Sequence, residues 1–191
     1  EIQGSEIQGS EITETPALTR KPAEAKATSG RVFEYGIYNA QRKGRIVGSL
    51  TTDTGKVVRQ PVLEFSEATD RIPLIKGTYF AYRYRIIDLP KVEAKKPIVE
   101  VRKVLIHPPM TLPDGTTSTG WDRVARARTT AGQVIAFDGY AFNEDYELVQ
   151  GDWTFQIWFA GKKLLEQTFT TYQPEKSAAI PVAASTAESK R

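Results

Sequence analysis

Residues 151–169 read GDWTFQIWFAGKKLLEQTF, and the alternation in this stretch decides the fold class. Successive side chains of a β-strand point to opposite faces of the sheet, so Trp153, Phe155 and Ile157 share one face while Trp158 lies on the other. Glycine near the middle marks a turn between two such runs. The pattern predicts an antiparallel β-hairpin with one face in a hydrophobic core.

The register of this hairpin depends on the length of its loop. A two-residue turn at Gly161-Lys162 brings the charged Glu166 to the core face. A three-residue loop over residues 161–163 instead pairs Phe155 with Phe169, and aromatic cross-strand pairs stabilise a sheet by roughly 0.2–1 kcal/mol each. Register is enforced where one face is buried, so we predict the three-residue loop.

The middle of the chain, residues 30–173, carries further alternating runs between turn signals. The clearest is Tyr79–Ile87, in which apolar side chains alternate with Arg83 and Arg85. We expect the apolar set to be buried and both arginines to face outward. The predicted core includes Phe80, Tyr82, Tyr84, Trp153, Phe155, Ile157 and Phe169.

Many short strands separated by Gly, Pro and Asp turns are typical of a sandwich or barrel. In the run Val32–Tyr38, we expect Phe33, Tyr35 and Ile37 on one side. The other candidate strands are Val58–Phe65, Ile98–Ile106, Val124–Arg128 and Val134–Phe142. The sequence therefore predicts an all-β, immunoglobulin-like antiparallel β-sandwich with extended N- and C-terminal arms.

The arms are residues 1–29 and 174–191. The first opens with two copies of Glu-Ile-Gln-Gly-Ser, a five-residue period that matches neither helix nor strand. Its isoleucines Ile2, Ile7 and Ile12 are too far apart to bury one another. Two interpretations remain open: a flexible leader or engineered scar, or an extended arm that docks on a neighbouring subunit. In the second case the three isoleucines belong to an interaction surface.

Composition narrows the classes of function. The 191 residues contain no cysteine, which excludes disulfides, thiolate metal sites and cysteine nucleophiles. The net charge of +3 falls short of the clustered basic surface of a dedicated nucleic-acid binder, so no nucleic-acid partner is expected. The sequence contains no run of about 18 apolar residues, so no membrane span is predicted. Because the chain begins at Glu1 rather than methionine, either a signal peptide has been removed or the sequence has been trimmed. We favour the first and therefore expect a periplasmic or extracellular location.

Three segments carry a resemblance to a known family. They are Glu147–Trp158, with its Gly-x-aromatic strand start, Val32–Tyr38, and the closing run Leu165–Phe169. Together they resemble the bacterial family catalogued as domain of unknown function 3859, over about residues 31–172. The resemblance implies an immunoglobulin-like fold and a bacterial, exported setting, and it carries over no catalytic residue.

Two polar features are expected to be structural. His107 is the single histidine, and one imidazole without cysteine cannot build a metal site of the usual kind. Since it precedes Pro108-Pro109, we expect it in a polar loop. The acidic run Asn143–Glu147 matches no calcium-binding loop in its spacing, and we expect a solvated turn.

Arginines and one tryptophan are the candidates for a binding surface. Six arginines are candidates for one outer sheet face that binds an anionic polymer; the alternative is solvated strand exteriors that discourage edge aggregation. They are Arg83, Arg85, Arg102, Arg123, Arg126 and Arg128. Trp158 is expected on an outer face opposite Glu166, either covered by another segment or marking a contact surface.

The sequence predicts no catalytic, cofactor-binding or metal-binding residue. We therefore expect a non-enzymatic, exported structural or protein-interaction module that contacts other copies of itself, or a partner protein, within a larger assembly such as a filament. The predicted interaction residues are Ile2, Ile7, Ile12, Trp158, Arg83 and Arg85. The alternative is a periplasmic binding module for an anionic or carbohydrate ligand.

Overall fold

The computed structural model describes residues 25–42, 45–48, 56–59 and 62–176. These residues form eleven strands, one short helix and one 3-10 turn. The elements are β1 (Ser29–Arg42), β2 (Arg45–Gly48), β3 (Lys56–Arg59), β4 (Val62–Glu67), β5 (Arg71–Pro73), β6 (Tyr79–Ile87), α1 (Lys91–Ala94), β7 (Ile98–Thr111), β8 (Thr117–Thr130), β9 (Gln133–Ala141), the 3-10 turn (Asp145–Glu147), β10 (Gly151–Phe159) and β11 (Lys162–Tyr172).

The strands of the described residues build a two-layered sandwich. Nine of them follow one another in the order β4-β1-β6-β9-β8-β7-β10-β11-β5, and β2 pairs with β3 in a separate hairpin. β8 and β9 pair only at Thr129–Val134 and Thr130–Gln133. The chain of strands folds over at this point, so that β4-β1-β6-β9 form a first layer and β8-β7-β10-β11-β5 form a second.

Aromatic side chains fill the space between the layers. The ring of Phe80 on β6 lies 5.7 Å from that of Trp153, 6.2 Å from that of Phe155 and 5.2 Å from that of Phe169, measured between centroids. All seven predicted core residues are fully buried, and Arg83 is exposed, which confirms the expected burial pattern of these strands.

The loop predicted for the β10–β11 hairpin is wrong. The turn is formed by two residues, Ala160-Gly161, whose φ angles are 47° and 78°. Two successive positive φ angles are typical of a type I′ turn, whose twist matches that of the flanking strands. The three-residue loop over residues 161–163, and the pairing of Phe155 with Phe169 that it implied, do not form.

A β-bulge at Leu164 then sets the register of the hairpin. Trp158 pairs with Lys163 and Ile157 with Leu165, so Leu164 is an extra residue in β11. Without it, Phe169 would turn away from the core, because a slip of one residue exchanges the two faces of a strand. The bulge therefore lets a tight turn coexist with an apolar face.

A second bulge corrects the expectation for β1. The pairing with β6 skips from Val32 to Glu34, so Phe33 is inserted. The ring of Phe33 lies outward, 5.9 Å from Cζ of Arg85, whereas Tyr35 contacts the core ring of Phe169 at 6.4 Å. Phe33 therefore does not share a side with Tyr35, because the extra residue shifts the alternation.

The chain has two Ala-Gly turns, Ala160-Gly161 between β10 and β11 and Ala131-Gly132 between β8 and β9. We expect both to carry backbone strain that asparagine relieves. Ala160 and Ala131 have φ angles of 47° and 50°, a region that asparagine tolerates better than alanine. We predict that Ala160→Asn and Ala131→Asn each raise the free energy of unfolding by about 0.5–1 kcal/mol, measured by urea denaturation. Gly161→Ala is the opposing control. A Cβ there meets nothing within 4 Å, so we expect this variant to lose stability only because alanine is strained at the positive φ of this position. Equal stability of all three variants would contradict the turn geometry.

Candidate functional site

The outer face of the first layer brings Arg83 and Arg85 together. Both lie on β6, where Tyr82, Tyr84 and Ile86 fill the core and leave the intervening residues outside. The expectation that these two arginines face outward from one strand is met, although Arg85 is half-buried.

Neighbouring strands surround these arginines with apolar side chains. On β9, Ile135 pairs with Arg85 and Phe137 with Arg83. Phe33 of β1 adds its ring beside Arg85. The exposed fractions are 45% for Phe33, 52% for Ile135 and 51% for Phe137. We call this surface the arginine–aromatic face, and it consists of Arg31, Phe33, Arg83, Arg85, Ile135 and Phe137.

The arginines of this face differ in their partners. Nε of Arg83 lies 3.5 Å from Oε1 of Glu34, and the hydroxyl of Tyr38 donates a 2.7 Å hydrogen bond to the same oxygen. Burial, and then that carboxylate, raise the pKa of Tyr38. Arg31 is the direct cross-strand neighbour of Arg85. The buried Nε of Arg85 has no hydrogen-bond acceptor in the part of the chain that the structure describes.

Trp158 lies elsewhere, on the outer face of the second layer. Its Nε1 donates a 2.9 Å hydrogen bond to Oε1 of Gln156, and Cζ of Arg102 lies 5.2 Å from its ring. The predicted position opposite Glu166 is wrong, because the turn and bulge place Trp158 opposite Lys163. Trp158 therefore does not form one surface with Arg83 and Arg85.

The six arginines also divide between faces. Arg102 donates two hydrogen bonds to Asp122, at 2.7 Å and 2.5 Å, and these lower the pKa of that carboxyl. Arg123 points between the layers, with its Nε buried and its Cζ 5.1 Å from the ring of Trp121. A single arginine surface spanning both layers is therefore not formed. The isoleucines Ile2, Ile7 and Ile12 lie outside the described residues.

His107 is not in a polar loop. It lies in β7, is 3% exposed, and its ring stacks on that of Trp153 at a centroid distance of 4.7 Å. Its Nδ1 lies 2.7 Å from the carbonyl oxygen of Pro108. The expectation fails because the strand continues through Pro108-Pro109, which carries the imidazole into the core.

The acidic run 143–147 is not a solvated turn throughout. Glu147 is 5% exposed, and its Oε1 accepts hydrogen bonds from the backbone N–H groups of Asn143 at 2.9 Å and Glu144 at 2.7 Å. Its other oxygen accepts a hydrogen bond from the hydroxyl of Tyr140. This carboxylate closes the 3-10 turn. Across the described ranges, no three His, Cys, Asp or Glu side chains are placed to hold a metal ion.

The fold agrees with comparisons to known proteins. The family model for the domain of unknown function 3859 matches residues 26–171. The chain belongs to this family. A solved immunoglobulin-like protein from Pseudomonas aeruginosa is similar in fold, with a TM-score of 0.52 and 18% identity over 78% of this chain and 99% of that one. No curated protein matches the sequence.

Within the described part of this member of the domain of unknown function 3859 family, no helix is long and apolar enough to cross a membrane.

Polar groups do occur inside the sandwich. Asp138 lies 3.5 Å from Nζ of Lys103 and accepts a long hydrogen bond, 3.4 Å, from the hydroxyl of Tyr82. Among the described residues, the buried hydroxyl of Tyr84 has no hydrogen-bond partner. Burial, followed by the charge of Asp138, raises the pKa of Tyr82 and of Tyr84.

These buried phenols predict a stability that falls at alkaline pH. In the unfolded chain a tyrosine has a pKa of about 10, whereas both folded pKa values are higher. The stabilisation is therefore complete below about pH 10 and is lost as the pH rises above it, because unfolding then releases protons. Tyr84→Phe should make this decline shallower, measured by urea denaturation between neutral and alkaline pH.

At neutral pH, Tyr84→Phe should also raise the free energy of unfolding by about 1 kcal/mol, because it removes a buried hydroxyl without a partner. Tyr82→Phe is the matched control. It removes the hydrogen bond to Asp138, and it should bring no such gain. A Tyr84→Phe variant that is less stable than the natural chain at neutral pH would show that the hydroxyl is satisfied.

Proposed function

We propose that this chain is a non-enzymatic protein-interaction module that binds a second copy of itself through the arginine–aromatic face. The observation that carries the proposal is the half-exposed state of Phe33, Ile135 and Phe137 on one sheet face. Scattered exposed apolar residues are normal on proteins, but these three surround the same two arginines. Aromatic and arginine side chains together are typical of the energetically important centres of interfaces.

The edge of the first layer supports the same role. β4 is the terminal strand of that layer, and five of its six residues are exposed. Val62 and Phe65 keep exposed fractions of 46% and 40%. An uncovered strand edge offers main-chain hydrogen bonds to another strand. Since β4 pairs with residues 37–42 of β1, whereas Arg31 and Phe33 lie near the start of that strand, this edge provides a second contact region on the same layer.

The wider setting is part of the proposal. We propose that the chain acts as an exported structural subunit of a periplasmic or extracellular assembly, and that its N- and C-terminal arms add contacts between subunits. This part depends on the sequence pattern, in which a β-rich domain lies between ends of low complexity. The part of the N-terminal arm that we assign to these contacts ends before residue 28, because the hydroxyl of Thr28 donates a 2.8 Å hydrogen bond to the carbonyl oxygen of Asp88 in the domain.

A second candidate function is the binding of an anionic or carbohydrate ligand. One observation favours the anionic version: Arg31 and Arg85 are direct cross-strand neighbours, and like charges in that position repel one another. A bound anion would neutralise them. This candidate needs no self-association, and the two functions are separable by experiment.

The self-association proposal is tested with threonine, which keeps the strand propensity of an exposed β position. The double variant Ile135→Thr/Phe137→Thr of the full chain should weaken self-association by about tenfold or more, because central aromatic contacts dominate interface energies. Sedimentation velocity over a range of concentrations measures this. The control is Val124→Thr on the second layer, which is 66% exposed and should change nothing.

Two outcomes decide the matter. A full chain that stays monomeric at every concentration would remove the proposal. If the double variant associates as the natural chain does, the arginine–aromatic face is not the contact surface. Deleting residues 1–24 then separates the contribution of the arm from that of the face, since the deletion ends before Thr28.

A further inference from the structure

A shallow notch lies on the outer face of the first layer, at the end where β1 begins. It is lined by Ser29, Gly30, Arg31, Arg85 and Ile87 and has a volume of about 170 Å³. Sites for drug-sized ligands are larger, roughly 300–1,000 Å³. The notch therefore suits a small chemical group rather than a whole cofactor.

The strand register places two positive charges at this notch. Arg31 and Arg85 are Cα partners across β1 and β6, so their side chains leave the same face of the sheet. Opposite charges stabilise such a pair of positions, and like charges destabilise it. In the described chain, neither of these arginines forms an ion pair.

Two other arginines on the outer faces do have acidic partners, and they give a comparison for the pair at the notch. Arg83, two residues from Arg85 on the same strand, pairs with Glu34. Arg102 on the second layer binds Asp122 through two hydrogen bonds. Arg31 and Arg85 have no such carboxylate among the described residues, so the charge of this pair is uncompensated there.

The side chain of Arg85 is also partly fixed and partly unsatisfied. Its guanidinium lies over the ring of Phe33, with Cζ 5.9 Å from the centroid, an arrangement that limits its freedom. Its Nε is buried and makes no hydrogen bond within the described part of the chain. An unmade hydrogen bond at a buried donor is costly, and an acceptor that enters the notch would lower that cost after a small rotation of the guanidinium.

We propose that the notch between Arg31 and Arg85 binds a phosphate or sulfate group. Two guanidinium groups supply two positive charges and a set of planar N–H donors that match the oxygens of a tetrahedral oxyanion. The hydroxyl of Ser29 lines the same notch and is able to donate a further hydrogen bond. The oxyanion is either a free ion or the end of a larger molecule. This inference deepens the second candidate function and does not depend on self-association.

The test uses the full chain and two probes at constant ionic strength. Inorganic phosphate and sulfate are titrated by isothermal calorimetry, with acetate as the singly charged comparison. Binding of vesicles of phosphatidylcholine, with and without phosphatidic acid, tests a phosphate carried by a lipid. We expect saturable binding of at least one of these phosphate or sulfate sources, and weaker binding of acetate.

Variants then locate the site. Arg31→Gln and Arg85→Gln should each weaken binding by about tenfold, since each removes a charge-assisted contact. Arg83→Gln is the matched control, on the same strand and face but paired with Glu34, and should leave affinity nearly unchanged. In the absence of anion, Arg31→Gln and Arg85→Gln should melt no lower than the natural chain, because they relieve repulsion.

The outcomes separate the two proposals. Loss of binding in Arg31→Gln and Arg85→Gln, but not in Arg83→Gln, supports the site and identifies whether the group is free or bound to lipid. Absence of binding to every probe overturns it, as does equal weakening by all three variants, which would indicate attraction by net charge alone. Neither result bears on self-association, which sedimentation measures independently.

Discussion

The contacts of the Phe80 ring hold the two layers of this domain together. In the described part of the chain, the layers share strand-pairing hydrogen bonds only beside the β8–β9 turn, so their union depends on the rings that meet between them. Phe80 contacts Trp153 and Phe155 on β10 and Phe169 on β11. Such ring pairs are worth about 0.5–1.5 kcal/mol each beyond the area that they bury.

The outer surface follows from this core. Because Phe80, Tyr82 and Tyr84 alternate inward along β6, the residues between them have to face outward. Arg83 and Arg85 are therefore placed by the packing of their neighbours, and the register with β1 and β9 decides what surrounds them. The outer face on which both binding proposals depend is therefore a consequence of the core pattern.

Alternation was enough to predict most of the strands and seven core residues, although it missed β2, β5 and much of β8. It does not reveal bulges. Both Leu164 and Phe33 insert one residue into a strand. A bulge is defined by the partner strand, so it has no mark in the local sequence that alternation alone detects. The loop of the β10–β11 hairpin and the outward position of Phe33 were missed for this reason. The signal for the turn was present in Ala160-Gly161, since hairpin turns of two residues favour glycine at the second position.

Polar side chains were harder to place than apolar ones. His107 and Glu147 both looked solvent-exposed from their neighbours in sequence, yet both are buried. Their partners explain the difference: the ring of Trp153 covers the imidazole, and backbone N–H groups together with Tyr140 satisfy the carboxylate. Burial of a polar group depends on such partners, and some of them lie far away along the chain. The pairing of Arg31 with Arg85 was missed in the same way, since 54 positions separate their numbers in the sequence.

The position of β5 has a consequence for the order of folding. Its residues Arg71–Pro73 pair in parallel with Thr170–Tyr172 of β11, and the same C-terminal hairpin supplies Trp153, Phe155 and Phe169 to the core. Contacts between residues so distant in sequence form slowly, because a long loop must close first. During synthesis β6 and β7 emerge before the hairpin that covers them, and their apolar faces stay open for that interval. Among the described strands, the ones made last are thus the ones that close the sandwich, and a nascent chain that stops before β10 exposes half of an unfinished core.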